Sequence, residues 1–228
     1  MGQHPLDRAL TVLLVAYPEA TREQLASLSI GQRDSCLLAL REQTFGPRLS
    51  GLASCPACRE QIEFALNVQD LPLTPHINAV EQVFELKTDT SGIHFRLPNS
   101  LDLAAIVDSQ DPARARDLLA RRCVFEAHYN GDDLTEELPD TLISAMAAQM
   151  EVCDPLAAID IPLDCLNCGY QWQTLFDVVS FFWTEIAAQA RRLLREVHTL
   201  ARYYGWREAD ILAMSAVRRQ FYLEMGAE

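Results

Sequence analysis

The chain has 228 residues, 49% of them hydrophobic, which is enough for one large domain or two small ones with real cores. It carries 19 basic against 32 acidic residues, a net charge of −13. That balance argues against broad, non-specific contact with nucleic acid, which rests on Lys and Arg neutralising phosphates.

The first residues, Met1 to Asp7, lack the basic start and long apolar core of a signal peptide, and Leu6 breaks the myristoylation pattern. The apolar run Leu10–Ala16 is too short to span a bilayer, so a cytoplasmic chain with no membrane span is expected. In such a compartment seven cysteines read as reduced thiols and metal ligands rather than a disulfide framework.

Pro5 to about Tyr17 places Leu6, Leu10, Leu13 and Leu14 at helical spacing, and Pro18 ends the run. Thr21-Arg22-Glu23-Gln24 and Ser29-Ile30-Gly31-Gln32 are capping-box sequences, the second opening a helix through Leu40 to Thr44. Residues 1–48 therefore form an N-terminal helical segment. From Leu49 the texture changes, and Ile62, Phe64, Leu66 and Val68 alternate with Glu63, Ala65 and Asn67 as in a half-buried strand. Residues 69–80, with Pro72 and Pro75, read as a linker. Val83–Lys87 and Ile93–Leu97 predict a β-hairpin turning at Ser91-Gly92.

Helix returns after Pro98, capped by Asn99 or Ser100, and again after the Asp111-Pro112 cap, on the helix carrying Leu118, Leu119 and Cys123. Asn130-Gly131 signals a turn, and Asp132 to Asp140 is an acidic, solvated run. A further helix over 140–152 carries Leu142, Met146 and Met150 on one face. Ile159–Leu163 and then Tyr170, Trp172, Thr174 and Phe176 have the texture of two more strands. A long helix over 178–204 carries Phe182, Ile186, Leu193, Val197 and Tyr204 as its apolar stripe, and two short helices follow.

Two Cys-x-x-Cys knuckles stand between strand-like segments: Cys55-Pro56-Ala57-Cys58 and Cys165-Leu166-Asn167-Cys168-Gly169. Together they supply four thiolates, the full tetrahedral set for one structural Zn2+. A redox dithiol would instead open a helix, whose N-terminus lowers the thiol pKa. With four protein ligands the site has no open position for a hydrolytic water. With 106 residues separating Cys58 from Cys165, the expected fold is α+β and helix-dominated, with a four-cysteine zinc ribbon assembled from two distant knuckles. The boundaries follow: 49–68 and 159–177 are the two halves of the ribbon. Residues 69–158 are an inserted hairpin-plus-helices segment, and 178–228 a C-terminal helical segment. Cys36, Cys123 and Cys153 lie in apolar helical patterns and read as core residues.

No catalytic constellation is visible. The five histidines share no ligand spacing, and there is no phosphate-binding glycine loop, nucleophile elbow or His-Glu-x-x-His. The chain is read as not an enzyme, with no catalytic residues. Arginines and aromatics crowd the last 40 residues or so, and Tyr204, Trp206, Arg207, Arg218, Arg219 and Tyr222 are the candidate partner-binding residues. A zinc-ribbon nucleic-acid binder or transcription regulator is the alternative reading of the same cluster, and core packing of the aromatics is the bland one.

Several phrases carry a family resemblance: His4–Leu10, Leu38–Gly46, the first knuckle, Phe95–Pro98 with Asp102–Ala105, and Tyr204–Leu212 with Arg218-Arg219 and Tyr222–Glu224. In these the chain resembles the baseplate hub assembly chaperone family of T-even-type phages and bacterial contractile injection systems. The resemblance implies a non-enzymatic assembly factor or small structural component. It also implies contacts with baseplate hub, spike or wedge proteins. Paired zinc knuckles do not define the phage members and would mark the injection-system branch.

Overall fold

The computed structural model describes residues 4–77, 82–87, 91–129, 132–133 and 138–226. Its contacts divide the chain into two units, Met1–Val179 and Ser180–Glu228. Helix and sheet are both present, with helix predominating, so the α+β expectation holds.

The first unit begins with three helices whose starts are set by local chemistry. In α1 (Pro5–Ala16) the proline occupies the first turn, and His4 Nδ1 accepts the Leu6 N–H at 3.3 Å. Both expected capping boxes form, Thr21 with Gln24 on α2 (Arg22–Ala26) and Ser29 with Gln32 on α3 (Ile30–Phe45). Leu10, Leu13, Leu25, Leu28, Leu37 and Leu38 are buried on the inner faces of this part of the chain.

The chain then forms an antiparallel hairpin of β1 (Arg48–Ser54) and β2 (Gln61–Asn67), running from Arg48↔Asn67 to Ser54↔Gln61. A four-stranded antiparallel sheet follows in the order β3-β4-β5-β6: β3 (Phe84–Lys87), β4 (Ser91–Phe95), β5 (Val124–Tyr129) and β6 (Asp132–Asp133). Between β4 and β5 run α4 (Ser100–Ile106) and α5 (Pro112–Cys123), capped by Asn99 and Asp111. After the sheet comes α6 (Asp140–Cys153). Ile93, Phe95, Ala120, Ala127, Leu142, Ile143 and Met146 form one buried cluster of strand and helix side chains.

One expectation changes here, and two stretches are newly placed or lie outside the described residues. Ser91 and Gly92 lie inside β4, paired with Tyr129 and His128, and the connection at 88–90 is outside the described residues. The segment after α5 is a strand, because the chain passes directly from Cys123 into β5 without a turn residue to announce it. Its alternation is blurred by Phe125, an apolar residue on the solvent side. The Asn130-Gly131 turn and residues 134–137 of the acidic run lie outside the described residues. Of that run, Asp132 and Asp133 form β6 and Asp140 opens α6.

Two buried carboxylates tie distant pieces of this unit together. Asp102 has no exposed side-chain surface; it accepts from Arg96 Nη1 at 2.5 Å, Arg96 Nη2 at 2.9 Å and Arg122 Nε at 2.9 Å. It also accepts the Asn99 N–H at 3.0 Å, so it completes the α4 cap while joining β4 to α5. Asp154 accepts the Gly31 N–H at 3.0 Å, fixing the end of α6 against the start of α3. The last hairpin of the unit is β7 (Asp160–Asp164) with β8 (Gln171–Leu175), running from Asp160↔Leu175 to Asp164↔Gln171.

The second unit contains most of α7 (Val178–Tyr204), then α8 (Glu208–Leu212) and α9 (Ala216–Met225). Gly205 stops α7 with a left-handed φ of 68°. Val197, Leu200 and Ile211 are buried, with Tyr204, Trp206, Tyr222 and Leu223 packed against them.

Candidate metal centre

Each knuckle is the six-residue turn of a hairpin, and the two turns are built alike. In the first, the Cys55 N–H donates to the Glu60 carbonyl and the Arg59 N–H to the Cys55 carbonyl, both at 2.8 Å. In the second, the Cys165 N–H donates to the Tyr170 carbonyl at 2.9 Å and the Gly169 N–H to the Cys165 carbonyl at 2.8 Å. The residue after each second cysteine is left-handed: φ is 65° at Arg59 and 72° at Gly169. Glycine takes that conformation without steric penalty, whereas Arg59 is the one non-glycine with positive φ among the described residues. Neither knuckle opens a helix, which removes the structural context of a thioredoxin-like dithiol.

The turns bring all four sulfurs together across more than 100 residues of chain. Cys55 Sγ lies 3.7 Å from Cys168 Sγ, Cys58 Sγ lies 3.5 Å from Cys165 Sγ, and all four atoms fall within 4.8 Å of one another. A disulfide needs about 2.05 Å, so these are thiols in contact rather than bonded pairs. A tetrahedral ion with metal–sulfur bonds of about 2.3 Å places its sulfurs about 3.8 Å apart. The cross-knuckle distances match that figure. Among the described residues this is the one cluster of His, Cys, Asp or Glu whose ligand atoms converge so that they could hold a metal ion.

Cys55 and Cys165 are 1% and 2% exposed, while Cys58 and Cys168 lie on the solvent side. The Cys58 thiol is drawn down to about 6, chiefly because the Glu60 backbone N–H stabilises its thiolate, with the Asn167 amide adding a contact at 3.6 Å. At Cys168 the Tyr170 backbone N–H also favours the thiolate. Loss of water and the three neighbouring sulfurs outweigh it and push that thiol up to about 12. Sulfurs this close cannot all carry charge without a cation among them.

The remaining cysteines are placed differently. Burial raises the Cys36 thiol and pushes Cys123 up to about 12, the condition of inert core cysteines. Cys153 is half-buried and accepts the Gln149 amide at 3.6 Å.

The candidate partner-binding residues are also brought together, but largely against one another. Tyr204 and Trp206 stack at 4.5 Å, Trp206 meets Tyr222 edge-on at 4.7 Å, and Tyr204 Oη donates to the Tyr222 carbonyl at 3.0 Å. Arg219 Nε binds Glu196 at 3.0 Å and its Nη1 donates to the Met214 carbonyl at 2.6 Å. Arg218 lies 5.7 Å over the Tyr222 ring, and Arg207 is exposed. Most of this set holds α7, α8 and α9 to each other.

No described helix is long and apolar enough to cross a membrane. A family model described as T4 bacteriophage base plate protein matches residues 6–183, a span that includes both knuckles. No curated protein and no solved structure matches the chain.

Proposed function

The chain belongs to the T4 bacteriophage base plate protein family, and from that premise we propose that it is a non-enzymatic assembly factor or small structural component of a contractile injection system baseplate. It acts through protein–protein contacts with hub, spike or wedge proteins, in the cytoplasm where such particles are built. The family match over residues 6–183 carries this reading. The hub assembly chaperone role is its finer form and rests on the resemblance of phrases along nearly the whole chain, of which Tyr204–Leu212, beyond the matched span, is the most telling.

Cys55, Cys58, Cys165 and Cys168 hold one structural Zn2+ in this reading. All four positions of the ion are filled by thiolate, so its contribution is a cross-link between the β1–β2 and β7–β8 hairpins, which form a zinc ribbon. Support comes from the sulfur spacing and from the matched backbone of the two turns.

Co-expression of the tagged chain with hub, spike and wedge proteins tests the function. Co-purification with at least one of them is expected, and absence of association with every component, free or assembled, overturns the proposal.

A further inference from the structure

The positive charge of the second unit is not scattered. Ser180–Glu228 holds seven arginines and no lysine against six carboxylates, leaving 12 basic and 26 acidic residues in the rest of the chain. Arg192 and Arg219 converge on Glu196, at 3.2 Å and 3.0 Å. Arg191, Arg195 and Arg202 have no carboxylate partner among the described residues.

These three, with His198 between them, occupy positions i, i+4, i+7 and i+11 of α7, and all four side chains are exposed. That spacing returns to the same side of a helix, so they form one line about 16 Å long. Glu185 and Glu196 lie more than 90° around the helix from it. Like charges four apart oppose helix formation. The row is therefore unfavourable to the fold itself and has no counter-charge in its own unit's ion pairs. Beside the row stands Leu194, 60% exposed.

We propose that the Arg191–Arg195–Arg202 row of α7 is a docking face for an acidic amphipathic helix of a neighbouring baseplate protein; this rests on the baseplate reading above. Charge complementarity selects the occupant. A helix bearing carboxylates at the same i, i+4, i+7, i+11 spacing places one acid opposite each cation, and its apolar edge covers Leu194. A nucleic-acid strand would meet the same row, but it leaves Leu194 uncovered and brings a long polyanion toward a chain that is otherwise strongly acidic.

The test uses the full chain and two kinds of probe: purified hub, spike and wedge proteins, and a 20-nucleotide deoxythymidine oligomer. The variants are Arg191→Gln/Arg195→Gln/Arg202→Gln and the corresponding triple Lys variant. Glutamine and lysine both keep helix propensity, and helical circular dichroism confirms that each variant folds. The wild type is expected to bind one baseplate protein with an affinity that falls as salt rises. The Gln variant should bind at least tenfold more weakly, and the Lys variant within about threefold of wild type. Unchanged binding of that protein by the Gln variant overturns the docking face and leaves the baseplate reading standing. Loss confined to the oligomer, with protein association untouched, also overturns it and assigns the row to nucleic acid. A wild type that binds no baseplate protein overturns both.

Discussion

Removing the metal is the perturbation that bears most directly on the four-cysteine site. Structural zinc bound by thiolates contributes on the order of 10 kcal/mol at the low end, which corresponds to a Kd of about 50 nM. At about 5 µM free zinc, roughly a hundredfold above that Kd, mass action stabilises the folded chain by about 2.7 kcal/mol. For a unit the size of Met1–Val179 that is a melting shift of about 5–10 °C. The 106-residue span between Cys58 and Cys165 is already closed in the folded chain, so its closure entropy of about 4 kcal/mol is a cost of folding and not of binding. Native mass spectrometry should therefore find one zinc per chain. A chelator should lower the melting temperature by at least about 5 °C, and Cys165→Ser should reproduce most of that loss in excess zinc. Equal melting of chelated and zinc-supplied protein, within about 1 °C, would refute the reasoning, since the 3.5 Å and 3.7 Å sulfur contacts would then be a packing arrangement without a ligand.

Three further outcomes can be checked by thermal unfolding in zinc-containing buffer. Asp102→Ala strands Arg96, whose side chain is 17% exposed, and Arg122, at 38%, so the loss should be about 3 kcal/mol rather than the upper end for a buried pair. Although burial alone would raise it, the arginines and the Asn99 N–H hold the Asp102 carboxyl below the usual range. Its stabilisation is thus present above the unfolded pKa, about 3.9, and disappears as pH falls through the lower folded value. Wild type and variant should converge in strong acid. Gly31→Ala sets a methyl group against the Asp154 carboxylate, and a net destabilisation of about 1–2 kcal/mol is expected even after the gain in helix propensity. At the knuckles, Gly169→Ala should destabilise by about 1 kcal/mol, whereas Arg59→Gly should be neutral or stabilising by up to about 1 kcal/mol, because both positions are left-handed.

What could be read beforehand followed the range of the interaction. Capping is local, so Thr21–Gln24, Ser29–Gln32 and Asp111-Pro112 announced their helices correctly. Cys-x-x-Cys is equally local, and the sequence supplied both pairs, but their meeting in space required the fold. Interactions across the chain left no signal. Nothing about Asp154 marks it as the anchor of Gly31, 123 residues away, and nothing in the letters pairs Asp102 with Arg96 and Arg122. The arginines show a different kind of miss. Their i, i+4, i+7, i+11 spacing is visible in the letters, yet grouping them with the nearby aromatics hid the distinction between Arg219, bound to Glu196, and the row on α7 that has no carboxylate partner among the described residues.

The two hairpins show what a metal at the four cysteines would contribute. A two-stranded ribbon is marginal alone in water, because one pair of strands cannot enclose an apolar face. The hairpin of β1 and β2 buries Leu49 and leaves its other positions exposed or half-covered. The hairpin of β7 and β8 buries Ile161 and Leu163, and beyond its end Phe176 meets Phe64 edge-on at 6.3 Å. An aromatic contact of that kind contributes about 0.5–1.5 kcal/mol beyond its buried area. That is well below the on the order of 10 kcal/mol available from a thiolate-bound ion. An ion held where the four sulfurs converge, at the tips of the hairpins, would therefore add far more than this one ring contact. Leu52, at 68% exposure, and Leu175, at 62%, remain on the surface of the two hairpins.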